Sequence, residues 1–305
     1  MYFNISRYKN IEELSYQCEV ITPMFVSGAD QRVAELREPT IKGLLRFWWR
    51  ATVEFESLGE MKKNEESLFG STDSKSMINL KLLNKKINLE TKLPRGLEYK
   101  ARGKSADIMD YIAYGQKMKI EGQKVVRRYI APGSTFTIRL TFPSNNRNEI
   151  QNALFAFSMF GGIGSKSRNG FGCFKILDER IGIEKKILDH DINEFIRINR
   201  KRWEYKTESY DNWVKPLSII GLKYRNAKRG LSSEEKAKIA KPIKGFKDRQ
   251  AKPFFLHVSK TSDGKYKGKI NFFPTKSMMD PKNSEEYDRV FRVFIDSIQK
   301  SGEME

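Results

Sequence analysis

Apolar and polar residues alternate from Ser15 to Thr22 in strand-forming types, which predicts a first β-strand. Pro23 disfavours its continuation as a central strand. Beyond it the period lengthens. Ile41, Leu44, Leu45, Trp48 and Thr52 recur at helical spacing, so a helix is predicted from Ile41 to about Glu56, with Thr40 as its N-cap. Leu68-Phe69-Gly70-Ser71 is a turn-like passage. Alternation returns over Met77–Leu83 and, more clearly, over Thr135–Phe142, giving strands two and three. Asn148–Phe160 sets Ile150, Leu154, Phe157 and Phe160 on one face of a second helix, and Phe171–Leu177 is a fourth strand. The order strand, helix, strand, strand, helix, strand is the ferredoxin-like βαββαβ arrangement, which RNA-recognition modules share. Residues 84 to about 128 interrupt it. They are rich in Lys, Gly and Arg with little period, and such a length inside a domain is either a binding insertion or disordered.

The second half is less regular. Asp189–Tyr205 reads as a helix, with Ile192, Phe195, Ile196 and Trp203 on or near one face, and Trp213–Lys223 as a strand. A short helical window lies near Ser233–Ala240. Pro253–Lys260 and Lys265–Phe273 form a hairpin around Ser262-Asp263-Gly264, and Ser284 to about Lys300 is a last helix. The fold class is therefore α+β, with a first domain over 1–180 and a second, basic unit over 181–305.

Charge narrows the partners. The chain of 305 residues carries 57 Lys and Arg against 38 Asp and Glu, a formal net charge of +19, and 12% of its residues are aromatic. Residues 197–260 alone hold 18 Lys/Arg against 6 Asp/Glu. Such an excess favours an anionic partner, nucleic acid before a membrane surface, because no basic amphipathic end segment accompanies it. Part of the excess is open to a plainer reading as a solvated surface. No apolar run has membrane-spanning length and none resembles a signal core, so a cytoplasmic protein is expected. The two cysteines, Cys18 and Cys173, fall in strand-like runs and read as buried thiols. They have no metal-ligand spacing, and no cofactor is expected.

One stretch concentrates candidate binding chemistry: Gly162-Ile-Gly-Ser-Lys-Ser-Arg-Asn-Gly-Phe-Gly172. Glycines allow close approach to the main chain, and exposed amides beside Ser165, Lys166 and Arg168 would suit a phosphate. The loop runs from helix to strand, unlike the P-loop and dinucleotide loops, which run from strand to helix. The alternative is an ordinary turn. Lys42, Arg46 and Arg50 recur every four residues and form one stripe, either a solvated face or an anion track beside that loop. Trp48 and Trp49 point about 100° apart, so one belongs to the core and the other is available to stack on a partner. Tyr111-Ile-Ala-Tyr114-Gly115 is the one compact patch in the insertion, and Arg127-Arg128-Tyr129 is either a nucleic-acid contact or a solvated strand edge. Only two histidines are present. His190 lies at a helix start and His257 in an apolar strand, and both read as structural. No catalytic triad or metal-ligand spacing stands out.

The Gly162–Gly172 loop, with Ile163 and Phe171 inside its glycine pairs, resembles the GhGxxxxxGhG loop (h apolar) of the RAMP superfamily of CRISPR RNA-binding proteins. Ile21-Thr-Pro-Met-Phe, Gly28-Ala-Asp-Gln, Glu35-Leu-Arg37 and Ile41–Ala51 are similar to the N-terminal signature of the first-subunit family of the type III-B Cmr RNA-targeting effectors. Leu68–Ser71 and Tyr114-Gly115 share that likeness, which covers about residues 15–180. The resemblance implies two ferredoxin-like (RRM-like) domains and a non-catalytic subunit near the 3′ end of the guide. It also implies single-stranded RNA, guide or target, and other Cmr subunits as partners. The RNA-contacting set expected from the residues and the resemblance together is Arg37, Lys42, Arg46, Trp49, Arg50, Tyr114, Gly162, Gly164, Ser165, Lys166, Arg168, Gly170 and Gly172. The rival readings are a RAMP-type processing endoribonuclease using His257, and a scaffold that does not touch RNA.

Overall fold

The computed structural model describes residues 10–120, 123–177, 203–238, 252–273 and 284–300. The first strand, β1 (Ile11–Val20), starts earlier than its alternation suggested. Helix α1 (Glu38–Thr52) is capped at Arg37 rather than Thr40. Pro39 explains the shift: its missing N–H falls in the first turn, where none is needed, and its fixed φ suits a helix start. Helix α2 (Leu58–Phe69) was not foreseen. Ser57 caps it, its Oγ accepting from the Glu60 N–H at 3.1 Å. Only Glu65, Leu68 and Phe69 of α2 are buried, too few to show a period.

Strand β2 (Asn79–Lys86) leads into the insertion, which is folded in short pieces. Strand β3 (Leu89–Glu90) pairs with β8 (Tyr129–Ile130), β4 (Glu98–Ala101) with β5 (Lys104–Asp107), and β6 (Lys117–Ile120) with β7 (Gln123–Val126). Helix α3 (Ile108–Ile112) sits among them, its N-terminus capped by Asp107, which accepts from the Met109 N–H at 2.7 Å. Strand β9 (Thr135–Pro143), helix α4 (Arg147–Phe160) and strand β10 (Phe174–Ile176) complete the first half.

These strands form one antiparallel sheet in the order β10-β1-β9-β2. Its register sets Tyr16 against Ile138 and Cys18 against Phe136, so period-two alternation turns both strands' apolar sets to one face. Helices α1 and α4 cover that face with Ile41, Leu45 and Trp48, and with Ile150, Leu154, Phe157 and Phe160, all buried.

The second half holds β11 (Trp203–Tyr210), α5 (Val214–Arg229), α6 (Ser233–Lys238), β12 (Phe254–Lys260), β13 (Tyr266–Phe272) and α7 (Ser284–Lys300), with strand order β11-β13-β12. Two expectations fail here. Trp203–Tyr205 begins a strand, not the end of a helix, and Trp213–Lys223 lies in helix α5 instead of a strand. Leu217, Ile220, Tyr224 and Ala227 of α5 are buried at helical spacing, but the run Leu217–Leu222 is too short to separate strand from buried helix by pattern. The remainder of the predicted helix, 189–202 with His190, lies outside the described residues.

Two apolar cores result, and each draws on both halves. Phe255 and Phe273 join the first sheet's core. Ile21, Phe25, Met109, Ile112, Tyr129, Phe171 and Cys173 join the core of β12, β13, α5 and α7. Trp48 stands at this seam, its ring 5.9 Å from Phe255 and 6.1 Å from Phe273. A buried aromatic at such a junction contributes several kcal/mol through area alone, so the seam is a firm one.

Candidate nucleic-acid interface

The glycine loop is tied into the protein through its main chain. The Ile163 N–H donates to Gly172 O, Ser165 N–H to Phe25 O, Asn169 N–H to Lys166 O and Gly172 N–H to Pro23 O, at 2.8 to 2.9 Å. Ile163 and Phe171 are fully buried. Gly164 and Gly172 have φ of +93° and +69°, and a Cβ there would collide with the Phe25 and Ile163 carbonyl oxygens. Gly162 and Gly170 are buried. The N–H groups of Ile163, Ser165, Asn169, Gly170, Phe171 and Gly172 are thus engaged by carbonyls, which narrows the expected cradle of free amides to the rest of the loop.

What the loop presents outward is side chains. Lys166 adopts φ of +62°, a left-handed conformation uncommon for a residue with a Cβ. Its ammonium lies 4.0 Å from where a Cβ on Gly115 would stand, so it approaches the main chain one residue after Tyr114. Tyr114 is 80% exposed, the most exposed large apolar side chain described. Gln116 Nε2 donates to Ser165 Oγ at 3.2 Å and locks α3's end to the loop. Arg127 donates to Ser27 Oγ at 3.2 Å and to Gln31 O at 3.0 Å, bringing the β1–α1 loop to the same rim. An exposed aromatic ring beside a loop cation is the pairing that stacks a base and holds its phosphate.

The other expected residues are used elsewhere. Lys42 Nζ donates to Ser76 Oγ at 2.6 Å and to Ile78 O at 3.1 Å. Arg46 and Arg50 both pair with the buried Glu65 of α2, Arg50 at 2.8 Å. The stripe thus anchors α2 and the turn that follows it, with Arg46 and Arg50 remaining partly exposed. Trp49 is buried, edge-on to Phe69, and its Nε1–H donates to Glu149 Oε2 at 3.0 Å, so it cannot stack on a partner. Arg168 spans the seam between the halves. Its guanidinium lies 4.7 Å from the Phe255 ring centre and 5.9 Å from that of Phe47, and it donates to Lys252 O at 2.8 Å. Desolvation lowers its pKa from the ordinary arginine value. Arg37 sits at the α1 N-cap with a buried Nε that has no hydrogen-bond partner among the described residues.

Comparison with known proteins gives a family. The sequence model of the RAMP superfamily matches residues 17–175, more than half of the chain. The chain belongs to the RAMP superfamily. It is 27% identical over 183 residues to the CRISPR system Cmr subunit Cmr1-2 of Pyrococcus furiosus, covering 54% of this chain and 95% of that one. To Cmr subunit Cmr1-1 of the same organism it is 28% identical over 152 residues, covering 47% of this chain and 41% of the relative. Among solved structures it resembles apo Cmr1 from Pyrococcus furiosus, with a TM-score of 0.56, 20% identity, and 87% and 88% of the two chains covered. It also resembles a chain in the type III-B Cmr-beta assembly bound to cognate target RNA, with a TM-score of 0.53, 13% identity, and 95% and 100% covered.

Within this RAMP fold the candidate catalytic base is out of reach. His257 is 1% exposed, and its Nδ1 faces Gly161 O at 3.0 Å. Burial first, then the nearby Lys269 charge, lowers its pKa to about 3, so the ring is neutral. Cys18 and Cys173 are both buried free thiols, and burial pushes the Cys173 thiol up to about 11. Among the described residues no cluster of His, Cys, Asp or Glu is placed to hold a metal ion. None of the described helices is long and apolar enough to cross a membrane. The sequence reading missed Gln116 and understated Arg127. Gln116 was signalled only by its nearness to Tyr114, and Arg127 reaches it through its N–H bond to Gln116 O at 2.8 Å, which only the folded insertion shows.

Proposed function

We propose that this chain is the first subunit of a type III-B Cmr effector complex and binds single-stranded RNA, guide or target, near the 3′ end of the guide without cutting it. The observation that carries this reading is the docking of the Tyr114–Gln116 turn on the RAMP loop: Tyr114 is 80% exposed, Lys166 approaches Gly115, and Gln116 donates to Ser165. The names of the relatives supply the assembly and the class of ligand. Two ferredoxin-like units are part of the same proposal. The first sheet's order, β10-β1-β9-β2, supports it, as does β11-β13-β12 with α5 and α7 packed together in the second half. The sealed ring of His257 supports a binding role over cleavage, since a general base must reach the proton it abstracts. Other Cmr subunits are the expected partners.

Fluorescence anisotropy with a labelled single-stranded RNA across a salt series tests this. Binding weakens with salt, with a log–log slope of about −0.7 per phosphate neutralised. Lys166→Ala and Tyr114→Ala each weaken it, and Lys166→Ala also flattens the slope. A chain that fails to bind RNA even at low salt is a scaffold, and that result overturns the proposal.

A further inference from the structure

A cleft of about 520 Å³ opens between the tip of the β4–β5 hairpin, the C-terminal end of α5, and α6. Arg102, Arg225, Lys228, Arg229 and Lys236 line it together with Tyr111. Among the described residues, five of its lining side chains are cationic and none is a carboxylate. Arg225 is buried, with its guanidinium 3.6 Å from the Tyr99 ring centre and Nη1 donating to Asn226 Oδ1 at 3.0 Å, so this cation is fixed in place. Lys228 and Arg229 sit at the negative end of a helix dipole, which accounts for two of the five charges but not for their convergence with Arg102 and Lys236. Like charges gathered in a concave, partly dry site raise the local potential and favour a multivalent anion.

The cleft is joined to the RAMP loop. Lys252 Nζ donates to Arg168 O at 2.8 Å and to Asn169 Oδ1 at 2.7 Å, both in the loop. The same ammonium lies 4.1 Å from the Tyr224 ring centre, and Lys228 approaches that ring at 5.9 Å. Burial first, then the charges of Lys228, Arg168 and Lys166, hold Lys252 well below the usual lysine range. From these contacts we infer that the cleft is a second phosphate-binding site, taking the backbone of the same RNA strand whose other end lies at Tyr114 and Lys166. The inference rests on the RNA-binding reading above.

The purified full chain tests it by anisotropy with a single-stranded RNA of about fifteen nucleotides, long enough for more than one contact cluster. Arg229→Ala with Lys236→Ala is expected to weaken binding about tenfold at moderate salt and to reduce the log–log salt slope by about 1.4, two phosphates' worth. Arg229→Lys with Lys236→Arg is expected to keep both. Arg102→Glu, at an exposed hairpin turn away from either core, gives the same loss and guards against misfolding of the double variant. If Lys166→Ala weakens binding while the cleft variants leave affinity and slope unchanged, the cleft inference falls and the RNA-binding reading stands. If neither set has an effect, both fall.

Discussion

Arg46→Ala separates the two uses that the basic stripe on α1 can serve. In the structure Arg46 shares Glu65 with Arg50, and its Nη1 also donates to Gly70 O at 3.3 Å. Glu65 is almost sealed, with 6% of its side chain exposed, against 35% for Arg46 and 40% for Arg50. Removing a charged partner from a buried carboxylate costs about 1.5–3 kcal/mol. Here Arg50 remains and Arg46 is one-third exposed, so solvent screening lowers the figure to about 1–2 kcal/mol. For a chain of this size that corresponds to a fall in Tm of roughly 1.5–3 °C. Glu65→Ala should fall by a similar amount, and a double-mutant cycle should return a coupling of at least about 0.5 kcal/mol. Urea or thermal unfolding reads the stability, and anisotropy over a salt series reads RNA binding in the same variants. The structural assignment requires lower stability with an unchanged salt slope. An unchanged Tm together with a slope reduced by about 0.7 would show that Arg46 contacts a phosphate, and the anchor reading would be refuted.

Tyr114→Ala should weaken RNA binding by about 1–3 kcal/mol, the range for one base–aromatic stack, and leave Tm unmoved because the ring is exposed. Trp49→Ala should do the reverse, costing about 3–5 kcal/mol in unfolding by emptying a buried indole site, with the salt slope of whatever remains folded unchanged. Gly164→Ala should give an unstable or insoluble chain, since its φ is +93° and a Cβ meets the Phe25 carbonyl, and solubility on expression reads this directly. His257 gives a pH signature. Its folded pKa of about 3 lies below the unfolded value of 6.5, so the unfolded chain binds the extra proton. Its contribution is complete above pH 6.5 and is lost at up to about 1.4 kcal/mol per unit as pH falls. Urea midpoints between pH 6.5 and 5, above the carboxylate range, should slope in the parent and flatten in His257→Asn; equal slopes refute the assignment.

Strands with strict alternation, β1 and β9, and the helix α4 with its four-residue apolar spacing were legible because one buried face imposes one period on them. Helix α2 was not, because it buries little of itself, and that single omission distorted the candidate site. Without α2 there was no Glu65 to receive Arg46 and Arg50 and no Phe69 for Trp49 to pack against. A cationic stripe and a second tryptophan then had nowhere to go but outward. The same logic explains α5: a run of six mostly apolar residues fits a strand or a helix until the partners on either side are known.

The RAMP loop combines close main-chain packing with side chains turned outward. Its glycines suggested a backbone open to phosphate, yet a Cβ on Gly164 or Gly172 would meet the Phe25 or Ile163 carbonyl oxygen, and the Ser165 and Gly172 amides donate to Phe25 and Pro23. Such close main-chain packing makes the loop rigid and leaves its chemistry to the residues it cannot bury. Lys166 is held in a left-handed conformation that local energetics oppose, and Asn169 Nδ2 donates to Ile112 O at 2.8 Å, at the C-terminal end of the short helix α3. Gln116 closes the same junction from the other side through Ser165. The loop therefore fixes where Tyr114 and Lys166 stand relative to each other. For a sequence-tolerant RNA contact that separation matters more than any single donor, because a stacked base and its phosphate are covalently joined at a set distance.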